Sequence, residues 1–500
     1  MVNAGDAWVN TMNASRVDMG SAMLVAVVAA VISFIIYFLT LTQSVGGHDS
    51  AELALVAWQL GASHAPGSPI HAVLGHFVMQ FYAEPHRGVT LLSAISASAS
   101  AGFLALLIYT FKRDASVALF AALIYAFSYQ VWSSAVMTEL YSLSMLFLSI
   151  AMLNAWLWRI SSKQLHFAVC IFAYALSLGA YFANILLIPA FAYLIYRASD
   201  QKIANLLTFS AATGLTVLII GIANYFLAQN VLPFGEIELN SVMNMFLYMS
   251  GSQHNPLLVR DSAFILMRMD EHLGIFTRSL FYLGVPLGLL GAVSLSRTDK
   301  VFGHFLMLVF AIYIVYYTVF GPGDYFMMVL PAYFIYAIWV AFGVLWLISY
   351  ARNRQLQWIC RLLLVCIVAG LLVTQFNGRR FMAQSLESED FAKTTFSSLP
   401  HDAVAIAGWG EFTTLRYFQE VHGLRPDIRF LVPARSLRRY PYGEVSDYVD
   451  FVGNSICAAP VFSTKDLPEL GDQYQLQTSP KDSKWMRVVG VSGSLPNFCQ

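Results

Sequence analysis

Runs of about twenty apolar residues, separated by short polar stretches, fill the chain from Leu24 to near residue 376. A helix rises about 1.5 Å per residue, so each run can cross a hydrocarbon core about 30 Å thick. The runs lack strict period-two alternation, and backbone inside a bilayer must satisfy its own hydrogen bonds. They therefore predict helices rather than the strands of a barrel. Spans are expected near 21–42, 88–111, 115–133, 140–158, 165–181, 182–197, 205–228, 277–296, 301–320, 326–350 and 357–376, about eleven in all. From residue 377 the apolar runs shorten and Pro, Gly and charge increase. Ala403–Ala407, Ile428–Val432 and Pro460–Ser463 read as strands, and Glu411–His422 and Val445–Val452 as helices. The fold expected is a polytopic α-helical membrane domain over 1–376, followed by a small soluble α/β domain over 377–500.

Composition agrees with that pattern. Of 500 residues, 58% are hydrophobic and 12% charged, against about a quarter charged in soluble domains. Net charge is zero, so bulk charge argues neither for nor against a nucleic-acid partner, and none is expected. Charge position is more informative. Every second loop is basic: Lys112 and Arg113, Arg159 and Lys163, Arg197 and Lys202, Arg297 and Lys300, then Arg352, Arg354 and Arg361. Acids there are few, namely Asp114, Asp200 and Asp299. The positive-inside rule makes these loops and the N-terminus cytoplasmic, and an odd number of spans puts the C-terminal domain outside. The first apolar run reads as a retained signal anchor, since no small-residue cleavage site follows it. A bacterial inner membrane is the expected location. Cys170, Cys360 and Cys366 lie in apolar runs and read as small core residues. Cys457 and Cys499 lie in the tail and could pair in an oxidising compartment.

The outer loops hold the chemistry. The first spans 43–87 and the second 229–276, and Asp49, Glu52, Glu139, Asp270, Glu271 and Asp324 all fall on this side. If Asp49 to Leu60 is helical, Asp49, Glu52 and Gln59 share one face, and that helix could lie in the membrane interface. Two carboxylates would then project together. Equally, Asp49 could cap the helix and Glu52 complete a capping box. His64, His71 and His76 could ligate a metal, but no carboxylate–His spacing here matches a known metal pattern. A divalent metal is thus compatible and not required. Gly408-Trp409-Gly410, between a predicted strand and helix, only partly resembles a phosphate-binding turn.

Three segments resemble the signature of a family of GT-C-fold membrane glycosyltransferases that includes the transmembrane protein O-mannosyltransferases. Asp49-Ser50-Ala51-Glu52-Leu53 with His64-Ala65-Pro66-Gly67-Ser68-Pro69 is similar to the family's Asp-Ser/Gly-Gly/Ala-Glu-Leu and His-Pro-Pro-Gly-x-Pro, with Ala65 in place of one proline. Trp132 to Leu143 follows its Trp-Ser-x-Ala-x-x-x-Glu-x-Tyr-x-Leu through Glu139 and Tyr141. Tyr417-Phe418-Gln419 and Arg425-Pro426-Asp427 resemble elements of its tail, where Gly410-Glu411 replaces the usual Gly-Asp.

The resemblance implies transfer of a sugar, mannose being the family's best-known case, from a polyprenyl-phosphate-linked donor at the outer membrane face. The acceptor would be a hydroxyl of a protein or glycan, with membrane lipids as surroundings. It implies Asp49 as general base, with Glu52 as its partner or as a substrate orienter. His64, Glu139, Tyr141, Asp324 and Tyr325 are candidate substrate-binding residues. Arg260, Arg268 and Arg278 are candidate cations for the leaving phosphate, and the sequence does not choose among them. A transporter or flippase is the alternative. It predicts charges near the membrane midplane and internal repeats, whereas here the acids gather at one face and no repeat is visible. A non-catalytic envelope assembly protein is the third reading.

Overall fold

The computed structural model describes residues 19–231, 238–252, 258–279, 283–321, 325–351, 353–431, 459–464, 474–478 and 484–491. The expected helix Val445–Val452, Asp324, Cys457 and Cys499 lie outside them. The chain divides into two compact units. One comprises residues 1–41, 91–220 and 258–382, and the other 42–90, 221–257 and 383–500.

The first unit is helical. Among the described residues of the whole chain, seven helices are long and apolar enough to cross a bilayer. An eighth is added if Ala115–Ala126 and Tyr129–Val136, bent by 66° about Phe127–Ser128, count as one broken span. Other predicted spans are shorter or divided. Residues 165–181 form Gln164–Ala180, and 182–197 begin as a 3-10 turn, Phe182–Leu187, before Ile188–Ala198. The span placed at 277–296 is instead the ends of two helices, Ser262–Ser279 and Gly284–Thr298. The second helix carries Pro286 in its first turn, where a missing N–H costs nothing. Cys170 is buried as expected, but Cys366 is exposed and Cys360 only half-buried, because both lie on the open face of the long Arg354–Ala383 helix.

Glycine brings two helices of this unit into backbone contact. A Cβ on Gly291 would lie 1.6 Å from the Trp339 carbonyl oxygen, and one on Gly343 would lie 2.1 Å from that of Leu287. Small residues are what allow such approach between membrane helices. Two of the three acids of the basic loops, Asp114 and Asp299, are each used twice. Asp114 accepts from the Val117 N–H at 3.1 Å and pairs with Arg361 at 2.9 Å. Asp299 accepts from the Phe302 N–H at 2.9 Å and faces Arg159 at 3.4 Å. Each acid is thus a helix N-cap and a counter-ion for the basic loops.

The second unit joins the first long loop to the tail. Helix Asp49–Gln59 has Ser50 through Ala57 buried, so it is a core helix rather than an interfacial one. Its Ala51, Ala54 and Leu55 pack with Phe412, Leu415 and Phe418 of helix Trp409–His422 and with Phe430 and Phe462 of the sheet. That sheet has five strands: β1 Val404–Ile406, β2 Arg429–Leu431, β3 Val461–Thr464, β4 Tyr474–Thr478 and β5 Trp485–Val491. Their order is β2-β1-β3-β5-β4. β1 runs parallel to β2 and β3, with Ala405 opposite Phe430 and Phe462, while β5 is antiparallel to β3 and β4. Helix Trp409–His422 is the crossover between β1 and β2, the connection parallel neighbours require. The sequence reading places β1, β2 and β3 and omits β4 and β5.

Arg425 ties this unit's turns together. Its guanidinium donates to the carbonyls of Phe396, Leu399 and Pro400 and forms a two-point pair with Asp427, at 2.8 and 2.7 Å. The pairing holds the Asp427 carboxyl well below the usual range. Arg425→Ala is expected to destabilise the tail by about 2–3 kcal/mol, since hydrogen bonds to a charged group are worth about 1.5–3 kcal/mol and several are lost together. Earlier proteolytic cleavage within 383–431, on a thermal ramp, checks this.

Candidate active site

Asp49 and Glu52 occupy the first turn of helix Asp49–Gln59, as the sequence pattern requires, but neither completes a capping box. The N-cap is His48 and makes no side-chain cap bond. Glu52 instead turns to the His64 turn, accepting the His64 backbone N–H at 2.5 Å and facing the ring Nδ1 at 2.5 Å. Burial pushes the Glu52 carboxyl above its ordinary range, with the neighbouring His64 pulling against it. Glu52 is 4% exposed.

The His64 turn is built from three parts of the second unit. Gly67 sits at φ +82°, and a Cβ there would lie 2.5 Å from the Asn224 amide, so this position needs glycine. Ser63 and Ser68 share a hydroxyl bond at 3.0 Å, and the Tyr248 hydroxyl donates to the Ser63 carbonyl. Asn230 donates to the Leu60 carbonyl at 2.8 Å, and the Ala62 N–H to that of Val231 at 2.9 Å. Part of the second outer loop thus builds the turn that carries His64, a role no motif in 221–257 announces. His71 and His76 stand apart from it. His71 is buried and held neutral, its imidazole pushed down to about 4. His76 contacts the Ala57 carbonyl at 2.9 Å through Nδ1.

Asp49 is half-buried. Its Oδ1 accepts the indole N–H of Trp409 at 3.1 Å. Trp409 also meets the His64 ring edge-on, with centroids 6.1 Å apart. On the far side of Glu52 and Trp409, and not lined by Asp49 itself, a cavity of about 230 Å³ is bounded among others by Gln59, Phe412, Arg416 and Phe430. Its wall is mainly apolar, with a carboxylate and a guanidinium at fixed points, the composition of a small-molecule or side-chain site. Asp49, Glu52 and His64 each offer one ligand atom within 4.8 Å of the others. A divalent cation could use that set if it displaced the Glu52–His64 bond.

The remaining sequence-predicted residues lie in the first unit. Glu139 is buried at the N-cap of helix Leu140–Ser161, where its backbone exchanges hydrogen bonds with the Ser93 hydroxyl at 3.0 and 3.2 Å. Tyr141 packs edge-on against Tyr181, whose hydroxyl bonds that of Tyr317. Arg268 is 4% exposed. Its guanidinium stacks over the Tyr325 ring at 3.8 Å and pairs with Glu271 at 3.2 Å, while the Tyr325 hydroxyl donates to the same carboxylate at 2.9 Å. Burial pushes the Tyr325 phenol up to about 12 and the adjacent His272 imidazole down to about 4, so both are neutral at ordinary pH. Arg260 is exposed. The Arg278 side chain and Asp324 lie outside the described residues.

Residues 49–204 match the family described as the protein O-mannosyl-transferase TMEM260 N-terminal domain. The chain is 22% identical over 318 residues to the protein O-mannosyl-transferase tmem260 of Dictyostelium discoideum, covering 57% of this chain and 38% of that protein. It is 28% identical over 136 residues to the mouse protein O-mannosyl-transferase TMEM260, covering 27% and 18%. The chain thus matches well under half the length of these relatives. Its fold matches ArnT from Cupriavidus metallidurans bound to undecaprenyl phosphate, with TM-score 0.60 and 12% identity over 93% of this chain and 98% of that one. The apo form of the same protein gives 0.57 and 11%, covering 92% and 97%. The apolar helices are those of an integral membrane protein, residues 49–204 are similar to the N-terminal domain of the protein O-mannosyl-transferases, and the fold is similar to that of ArnT.

Proposed function

We propose that the protein is a glycosyltransferase that moves a sugar, mannose in the first instance, from a polyprenyl-phosphate-linked donor to a hydroxyl of a protein or glycan acceptor. The alternation of basic loops supports transfer at the outer membrane face, with Asp49 and the C-terminal domain on that side. The observation that carries the reading is Asp49. It is a half-buried carboxylate with one oxygen held by an indole N–H, beside a buried Glu52–His64 pair, with an apolar-walled cavity on the far side of Glu52 and Trp409. A hydroxyl is a poor nucleophile until a base within about 3 Å takes its proton. Asp49 fills that role through its other oxygen, which accepts no hydrogen bond from the described residues. The acceptor oxygen then bonds the anomeric carbon, the bond from that carbon to the phosphate oxygen breaks, and polyprenyl phosphate leaves as an anion. Glu52 has both oxygens committed to His64, so we assign it to holding the turn rather than to moving the proton. The ArnT neighbour holds undecaprenyl phosphate, and a donor lipid of that class supports the same reading here.

Of the candidate cations for the leaving phosphate, Arg268 is buried and stacked on Tyr325 while Arg260 is exposed, and substitution decides between them. Arg268→Ala is expected to raise the KM for the lipid-linked donor about ten- to a hundredfold, the equivalent of one charge-assisted contact. Initial rates against donor concentration measure it. Mass spectrometry of envelope proteins and glycans, with and without this protein, tests the proposal as a whole. A hexose-bearing hydroxyl that disappears with the protein supports it, and an unchanged glycan inventory contradicts it.

A further inference from the structure

Gly408-Trp409-Gly410 resembles part of a phosphate-binding turn in sequence, and the structure gives it other work. The Gly408 N–H is already bonded to the Glu411 carboxylate at 3.2 Å. The helix N-terminus that an anion would need therefore carries a negative group of its own. Trp409 points away from that turn to Asp49.

We propose that Trp409 is a positioning residue that sets the orientation of the Asp49 carboxylate, so that the C-terminal α/β segment completes the catalytic group. This rests on the reading of Asp49 as the base. An indole N–H donates and cannot accept, so it fixes one carboxylate oxygen without competing for a proton. Trp409 is itself fixed on several sides. Its ring lies near-parallel to Phe412, 6.3 Å between centroids, and edge-on to His64. The helix that carries it is keyed to the backbone just before Asp49, because the Thr413 hydroxyl donates to the His48 carbonyl at 2.9 Å. Gly410 lets His48 approach, since a Cβ there would lie 2.7 Å from the His48 ring. Contacts to His48, Asp49 and His64 thus come from the first five residues of one tail helix. A base displaced by about 1 Å can cost about a hundredfold in rate, and this bond is what holds Asp49 against that displacement.

Trp409→Phe keeps a ring against Phe412 and His64 and removes only the N–H. The expected result is a kcat about ten- to a hundredfold lower, with KM for donor and acceptor within about twofold and thermal stability near wild type. A merely structural Trp409 would lower stability or raise KM instead, and that split overturns the proposal. The double variant Asp49→Asn with Trp409→Phe is expected to fall no further than Asp49→Asn alone. Where Trp409→Phe does not fold, benzothienylalanine at 409 keeps the fused-ring shape without the N–H and is scored on the same split. Wild-type kcat in the N–H-less variant overturns the inference and leaves Asp49 as base. Undiminished transfer by Asp49→Asn overturns both.

Discussion

Asp49→Asn is expected to lower sugar transfer by about a hundred- to ten-thousandfold, the range of a lost general base, while leaving donor KM nearly unchanged. The substitution is close to isosteric. An Asn amide oxygen can still accept the Trp409 N–H now bonded at 3.1 Å, so helix Asp49–Gln59 keeps its place and only the capacity to take a proton is lost. Neither titratable neighbour of Asp49 among the described residues is placed to substitute. Glu52 is buried and bonded twice to His64, and His64 is occupied by that bond. Initial-rate measurement on purified variant and wild type, with circular dichroism as the control for folding, reads the effect. Transfer at the wild-type rate would show that Asp49 is not the base.

The second large effect concerns assembly rather than chemistry. Gly291→Leu is expected to destabilise the first unit by about 3 kcal/mol or more, at or beyond the upper end of ordinary overpacking. The obstacle at 1.6 Å is the Trp339 carbonyl oxygen, and Gly343 meets Leu287 in the same way. Backbone cannot rotate aside as a side chain can, so helices Gly284–Thr298 and Leu330–Tyr350 must part along their contact. The expected readout is a large fall in the yield of monodisperse protein and in its apparent melting temperature. Gly214→Leu, at a helix position where a Cβ meets nothing within 4 Å, is expected to behave as wild type. Equal stability of the two variants would contradict the close packing.

Much of this was legible along the chain, for identifiable reasons. The apolar runs that became long helices are those whose length alone meets the bilayer, such as Lys300–Val319 and Leu330–Tyr350. Where a run is broken at Ser128, or between Ser279 and Gly284, separate helices replace the continuous span that hydropathy suggests. The pairing of Asp49 with Glu52 followed from helical spacing. Glu52's partner did not, because His64 lies twelve residues on, beyond a turn that Asn224, Asn230 and Tyr248 hold in place. Trp409 was visible only as part of a glycine-flanked turn. Its bond to Asp49 spans 360 residues, and no local pattern encodes a contact at that separation. β4 and β5 went unread because Tyr474–Thr478 is polar and Trp485–Val491 lies beyond any turn signal as strong as those near β1. The sheet and its core, rather than local propensity, recruit them.

If Asp49 is the base, a lipid-linked sugar is cleaved and transferred at its site. The direct measurement uses the purified protein in lipid nanodiscs, supplied with polyprenyl-phosphate-linked mannose and a hydroxyl-bearing polypeptide. Free polyprenyl phosphate and mannosylated acceptor are followed together. They are expected to appear one for one with wild type and to vanish with Asp49→Asn. Donor that stays intact with every acceptor offered, or that crosses between leaflets of proteoliposomes without being cleaved, would contradict it.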